Sequence, residues 1–206
     1  MFLVVGLGNP GRRYVRTRHN VGFKVIETLQ QRWEIHGEGK QLGCLVGSGM
    51  IANSRAILAR PQAYMNRSGQ PVASITGYYK LTEEDVLVVH DDVDLPFGQV
   101  RVKRGGGHGG HNGLRDLIQH IGRDFPRLRV GVGRPPEGWD TADYVLGKWS
   151  GEEREAVSSL VDLASDAVEA VLRDGIETAM NQFNTRPERA DNQAEKNGAT
   201  QRPEEQ

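Results

Sequence analysis

The chain of 206 residues carries a single cysteine, Cys44, so no disulfide can form within it. One free thiol suits a reducing compartment, and Cys44 reads as a small buried apolar residue. No apolar run approaches the ~20 residues of a membrane span, which argues against a bilayer-crossing segment. Met1 leads straight into FLVVGLG, a strand-like run with neither the basic flank nor the cleavage site of a secretory leader; a cytosolic protein is expected. Nucleophile signatures are missing as well. There is no G-x-S-x-G elbow and no G-x-x-x-x-G-K-[ST] phosphate loop. Cys44 lies inside a strand pattern with no positive neighbour to lower its pKa. If the chain catalyses a hydrolysis, water is the attacking group.

A formal net charge of −1 conceals an uneven distribution. Residues 1–134 hold nineteen Lys and Arg against eleven Asp and Glu, whereas residues 135–206 hold seven against sixteen. The asymmetry fits a basic face that meets an anionic partner, and equally a solubilising acidic helix and tail behind an ordinary body.

Short β-rich runs alternate with amphipathic helical patterns, the mark of an α/β domain with a mixed, mostly parallel, twisted sheet flanked by helices. Strands are predicted over Phe2–Gly6, Cys44–Met50, Ala56–Ala59, Val86–His90, Gln99–Lys103 and Leu128–Gly133. The second and third form a hairpin turning at Ala52-Asn53-Ser54. Helices are predicted over Asn20–Trp33, Ser68–Tyr79, Asn112–Ile121, Gly151–Asp174 and Ile176–Phe183. Ser150 followed by Glu153 makes a capping box for the long helix, its apolar stripe from Val157 to Leu172 is core, and Gly175 stops it. From Thr185 no aliphatic residue is larger than Ala. The expected organisation is one domain over 1–184 and a flexible polar tail over 185–206. No repeat is visible.

Four segments invite a chemical reading. Gly6-Leu7-Gly8-Asn9-Pro10-Gly11 has dinucleotide-fingerprint spacing, but Pro10 stiffens the turn and no helix opens at the third glycine. It reads instead as a tight strand exit that sets Asn9 at the sheet rim. His19 alone would pass for part of a His-Asn helix cap. Asp91-Asp92 at the end of a strand changes that reading, because loops at carboxyl strand ends converge in open α/β sheets. A carboxylate that fixes the tautomer of an imidazole leaves the other ring nitrogen free as a base. Arg104-Gly105-Gly106-Gly107-His108-Gly109-Gly110-His111-Asn112-Gly113 lets backbone approach a ligand and runs into a helix start, a favourable place for an anion. His90, Asp91, His108 and His111 have metal-ligand chemistry, but the glycines between them offer no rigid scaffold; no metal and no cofactor are expected.

The runs GLGNPG, RTRHN, RPQAYMNRSG and HDDVDLPFGQVRVKRGGGHGGHNGL together resemble the bacterial-type peptidyl-tRNA hydrolases, from about Phe2 to Phe183. The resemblance implies a monomer that cleaves the ester joining a peptide to the 3′ end of tRNA. It implies His19 as general base, Asp91 as the residue that stabilises its basic form, and Asn9 as the residue that tells blocked from free aminoacyl groups. Tyr14, Tyr64, Asn66 and Asn112 match positions that contact the terminal nucleotide and the peptide. Lys103 and Arg129 match the basic pair that receives the tRNA 5′-phosphate. Asp92 stands where the family often has Glu, and no role attaches to it. From the residues themselves, a basic face suits a polyanion, and Asn66 or Asn112 has the amide chemistry to orient water or a carbonyl. Which does which is open. Tyr64 is read equally as a base-stacking platform and as core packing beside Met65. Two rivals remain: an esterase for small substrates using the same His-Asp pair, and a non-catalytic RNA-binding protein.

Overall fold

A computed structural model of the protein describes residues 1–36 and 38–184. The tail expected over 185–206 lies outside the described residues. Among these residues the strands are β1 (Phe2–Gly6), β2 (Gly39–Gln41), β3 (Cys44–Ile51), β4 (Ser54–Pro61), β5 (Val86–Asp92), β6 (Val100–Lys103) and β7 (Arg127–Gly131). The helices are α1 (Val21–Arg32), α2 (Gly69–Tyr79), α3 (Asn112–Ile121), α4 (Thr141–Leu146), α5 (Gly151–Asp174) and α6 (Ile176–Phe183).

The strands form one mixed sheet in the order β2-β3-β4-β1-β5-β7-β6. Its centre is parallel, with β1 between β4 and β5, and β7 beside β5. Both margins are antiparallel, through β2–β3–β4 on one side and β6–β7 on the other. The hairpin joining β3 to β4 turns on Ala52 and Asn53, both at positive φ (47° and 66°). That places the right-handed strand twist on a two-residue turn, as the predicted hairpin requires.

Alternation along the central strands sorts two cores. Val4, Leu87 and Val89 point to the face covered by α1, α5 and α6. Leu3, Val5, Val86 and Val88 point to the face covered by α2 and α3. The α1 helix lies so close to β1 that a Cβ on Gly22 would sit 2.5 Å from both the Leu7 nitrogen and the Val89 oxygen. A Cβ on Gly6 would in turn collide with the Gly22 carbonyl oxygen. The first glycine of GLGNPG therefore serves strand–helix packing.

Several predicted boundaries move. The strand expected over Gln99–Lys103 begins at Val100, and the one expected over Leu128–Gly133 runs over Arg127–Gly131. The short third strand is one half of an eight-residue pair, Ser54–Pro61 against Cys44–Ile51. Two elements escaped the periodicity altogether. Gly39–Gln41 is an edge strand whose pairing with β3 is made by backbone, and polar Gly-Lys-Gln carries no alternation. Thr141–Leu146 is too short for a helical stripe, although Asp140 caps it by accepting from the Ala142 and Asp143 amides.

Candidate active site

Parallel β4, β1, β5 and β7 deliver their following loops to one edge of the sheet. There a cleft of about 940 Å³ opens. Every residue singled out in the sequence lines it: Asn9, Tyr14 and His19 from the chain after β1, Tyr64 and Asn66 after β4, Asp91 in β5, Lys103 in β6, Asn112 opening α3, and Arg129 in β7. Residues up to 120 positions apart thus share one wall-to-wall site.

At its floor stands His19, only 8% exposed, on a 3₁₀ turn just before α1. Its Nδ1 lies 2.9 Å from each carboxylate oxygen of Asp91, which is 3% exposed. Since the carboxylate only accepts, Nδ1 carries the proton and Nε2 keeps its lone pair. Burial opposes a charge on His19, but the charge and hydrogen bond of Asp91 outweigh it and raise its pKa above 6.5. Burial likewise favours the neutral acid at Asp91, and the two imidazoles beside it, His19 and His111, hold its carboxyl far below the usual range.

His111 is the third member of this cluster. Its Nε2 donates to Asp91 Oδ1 at 3.0 Å, while its Nδ1 accepts from the Gly113 and Leu114 amides at 3.1 and 3.3 Å. The helix cap therefore sets the tautomer that supports Asp91. The helix opens at Asn112 as its spacing predicts, with His111 as the cap, and Asn112 Oδ1 accepts from Arg115 at 2.9 Å. The ligand atoms of His19, Asp91 and His111 lie within 4.8 Å of one another, a spacing compatible with a metal ion. The nitrogens concerned already serve Asp91 as donors, so a metal would have to displace two protons. His90 and His108 do not join the cluster. His90 Nδ1 donates to the Asp91 carbonyl at 2.7 Å, and His108 Nδ1 accepts from the Gly110 amide at 3.0 Å.

Asn9 is clamped by backbone. Its N–H and C=O are both bonded to the Asn20 side chain at 2.9 Å, and its Oδ1 accepts the Met65 amide at 2.8 Å. What remains of its amide is the NH₂, a donor at the cleft wall. Asn20 stands at the N-cap of α1 but makes no side-chain cap bond, its side chain being occupied in this clamp. Tyr64 is 60% exposed while Met65 beside it is buried, so Tyr64 is a rim platform and not core. Asn66 is exposed next to it, and Tyr14 lies under the Arg13 guanidinium at 4.4 Å.

The part of the cleft lined by β6 and β7 is cationic. Arg101 pairs across the ladder with Arg129, and Lys103 with Arg127, on the face that α2 and α3 leave uncovered. Like charges directly opposite on a sheet are unfavourable for folding, so this ladder suits an anion outside the chain. Arg127 is buried and donates to the Gly106 and Gly107 carbonyls at 2.5 Å, which fastens the glycine segment to the sheet. Asp92, to which no role was attached, forms an ion pair with Arg129, Nε to Oδ2 at 2.6 Å. That reading is corrected: Asp92 touches one of the two cations matched to phosphate. Arg18 was also missed. Its guanidinium holds the Tyr144 and Lys148 carbonyls and Glu153, tying the loop before His19 to α4 and α5. Only a buried Arg beside His19 in three dimensions would have revealed it.

No helix among the described residues is long and apolar enough to cross a membrane. A family model described as peptidyl-tRNA hydrolase matches residues 3–193. The chain is 46% identical over 186 residues to a peptidyl-tRNA hydrolase of Chloroflexus aurantiacus, covering 89% of this chain and 99% of the relative. It is 47% identical over 189 residues to one of Roseiflexus sp. strain RS-1, covering 91% and 87%. The crystal structure of peptidyl-tRNA hydrolase from Acinetobacter baumannii superposes with a TM-score of 0.84 at 40% identity, over 90% of this chain and 95% of that one. Fold and sequence agree, and the chain belongs to the peptidyl-tRNA hydrolase family.

Proposed function

We propose that the chain hydrolyses the ester between peptide and tRNA in N-blocked aminoacyl-tRNA, recycling tRNA from stalled translation as a cytosolic, metal-independent monomer. The observation that carries this reading is the His19–Asp91 pair, 2.9 Å apart, set in a cleft that Lys103 and Arg129 also line. His19 Nε2 takes a proton from water as the water oxygen attacks the ester carbonyl carbon. The tetrahedral oxyanion collapses, the ribose oxygen leaves with the proton from His19, and a peptide acid and free tRNA result. Asp91 keeps the imidazole in the tautomer that can accept that proton and stabilises the imidazolium formed meanwhile. Asn66 and Asn112 supply amides to orient water and carbonyl, and Tyr64 offers a face to the terminal base.

Asn9 would discriminate through the NH₂ that its Met65 contact leaves free. That donor suits the carbonyl of a blocked α-nitrogen, whereas a charged free amine would meet another donor and lose hydration. The rival small-substrate esterase gives no work to the cationic wall. The test incubates the protein with N-acetyl-aminoacyl-tRNA, free aminoacyl-tRNA and a simple activated ester, with and without chelator. Release from the first alone, insensitive to chelation, supports the proposal. Equal release from the simple ester would favour the rival, and loss on chelation restored by zinc would make the histidine cluster a metal centre.

A further inference from the structure

The three cations that line the cleft from β6 and β7 are not equally available. Arg127 spends its guanidinium on the carbonyls of Gly106, Gly107 and Arg123. Lys103 has no carboxylate partner among the described residues, and its Nζ lies against Gly106. Arg129 alone is paired with an acid. Asp92 Oδ2 accepts from Arg129 Nε at 2.6 Å, and Asp92 Oδ1 accepts the Asp94 amide at 2.9 Å. Held at both oxygens, with its side chain 14% exposed, the carboxylate is a fixed charge and not a passing surface contact. Arg129, which lines the cleft, is anchored only through Nε, and its two terminal nitrogens have no partner among the described residues.

This inference rests on the reading of the cleft as a peptidyl-tRNA site, in which Lys103 and Arg129 receive a terminal phosphate. We propose that Asp92 is a built-in counter-ion that competes with that phosphate for Arg129 and keeps tRNA binding loose enough for product to leave. The reaction breaks an ester at the 3′ end and does not alter the 5′-phosphate, so substrate and product grip this subsite equally. Such uniform binding does not speed the chemical step, and in excess it retards release. A carboxylate fixed on Arg129 weakens the attraction for any anion arriving beside it, while its hold on Nε leaves the two outer nitrogens free to donate.

The experiment measures equilibrium binding of one acceptor-stem RNA hairpin, bearing either a 5′-phosphate or a 5′-hydroxyl, to the unmodified protein, Asp92→Asn and Asp92→Glu. Folding of each variant is verified by circular dichroism. Asp92→Asn should tighten binding of the 5′-phosphate hairpin by about tenfold, the scale of one unit charge removed a few ångströms away at nearly aqueous dielectric. The 5′-hydroxyl hairpin should be nearly unaffected, and Asp92→Glu should match the unmodified protein. In turnover, Asp92→Asn should lower KM and kcat together, with stronger inhibition by deacylated tRNA. Weaker binding, or an equal change for both hairpins, would overturn the counter-ion role and leave Asp92 as scaffold. If the unmodified protein does not distinguish the hairpins, the phosphate assignment of Lys103 and Arg129 itself falls, and this inference with it. If it does distinguish them and Asp92→Asn leaves both affinities unchanged, only the counter-ion role falls.

Discussion

His19 acts as a base only when neutral, and Asp91 raises its pKa above 6.5 against the effect of burial. The sign follows directly: kcat/KM should climb with pH through an inflection above 6.5. In Asp91→Asn that inflection should shift to lower pH while the plateau falls. A pH–rate profile with an inflection below 6.5 in the unmodified protein would break the link. His111 has two separable jobs, which two substitutions pull apart. His111→Ala removes both the cap and the bond to Asp91, and should cost about 1 kcal/mol of stability in urea unfolding, the scale of a lost N-cap. His111→Asn restores a cap but not the Nε2–H to Asp91, so stability should recover while kcat stays depressed. Recovery of both would reduce His111 to a cap. His19, Asp91 and Asn9 could be singled out because each sits beside a recognisable strand exit. His111 stood out only as a possible metal ligand, since its role beside Asp91 depends on which nitrogen meets the α3 amides and which meets the carboxylate.

At the scale of elements, the catalytic loop is held by helices remote in sequence. Arg18 Nη2 pairs with Glu153 at 2.7 Å, with side chains 10% and 20% exposed, and the guanidinium packs 4.2 Å from the Tyr144 ring centroid. Glu153 belongs to the α5 capping box, so one carboxylate serves both the helix start and the loop that carries His19. Arg18→Met should therefore destabilise the fold by about 3 kcal/mol, because removing one partner strands a largely buried charge. Denaturant titration measures this, and a loss below about 1 kcal/mol would class the pair with ordinary surface bridges. Long elements with a clear period, such as α5 and α3, were predicted with the bounds observed. Thr141–Leu146 was not, since one and a half turns leave no stripe to read.

For the whole molecule, the buried polar cluster couples the site to acid stability. His90 is 3% exposed, its Nε2 has no hydrogen-bond partner among the described residues, and burial together with the neighbouring His111 pushes its pKa down to about 3. Between 6.5 and about 3 the unfolded chain binds a proton there that the folded chain refuses, so stability falls as pH falls. Asp91 adds to the loss only lower down, as pH drops below its ordinary 3.8 toward its depressed folded value. His19 works the other way: its raised pKa gives stability that is complete below 6.5 and fades as pH rises through the folded value. Thermal melts should therefore show a midpoint that declines from pH 6.5 toward pH 4, with a shallower decline in His90→Asn. An identical slope in the variant would locate the acid sensitivity elsewhere.

Tyr14, Lys103 and Arg129 were legible in the sequence only through the resemblance of whole motifs to a known family. Period, punctuation and charge by themselves determined an α/β domain, the hairpin, the long capped helix and the placing of Asn9 and Asp91 at strand exits. These are legible because they depend on local spacing and on the tendency of carboxyl strand ends to converge. Only the tertiary structure decided the strand order, the Asp92–Arg129 pair, the tautomer of His111 and the clamp of Arg18 on α4 and α5. Each of these joins groups far apart along the chain through a contact of about 3 Å, and such contacts leave no period in sequence to announce them.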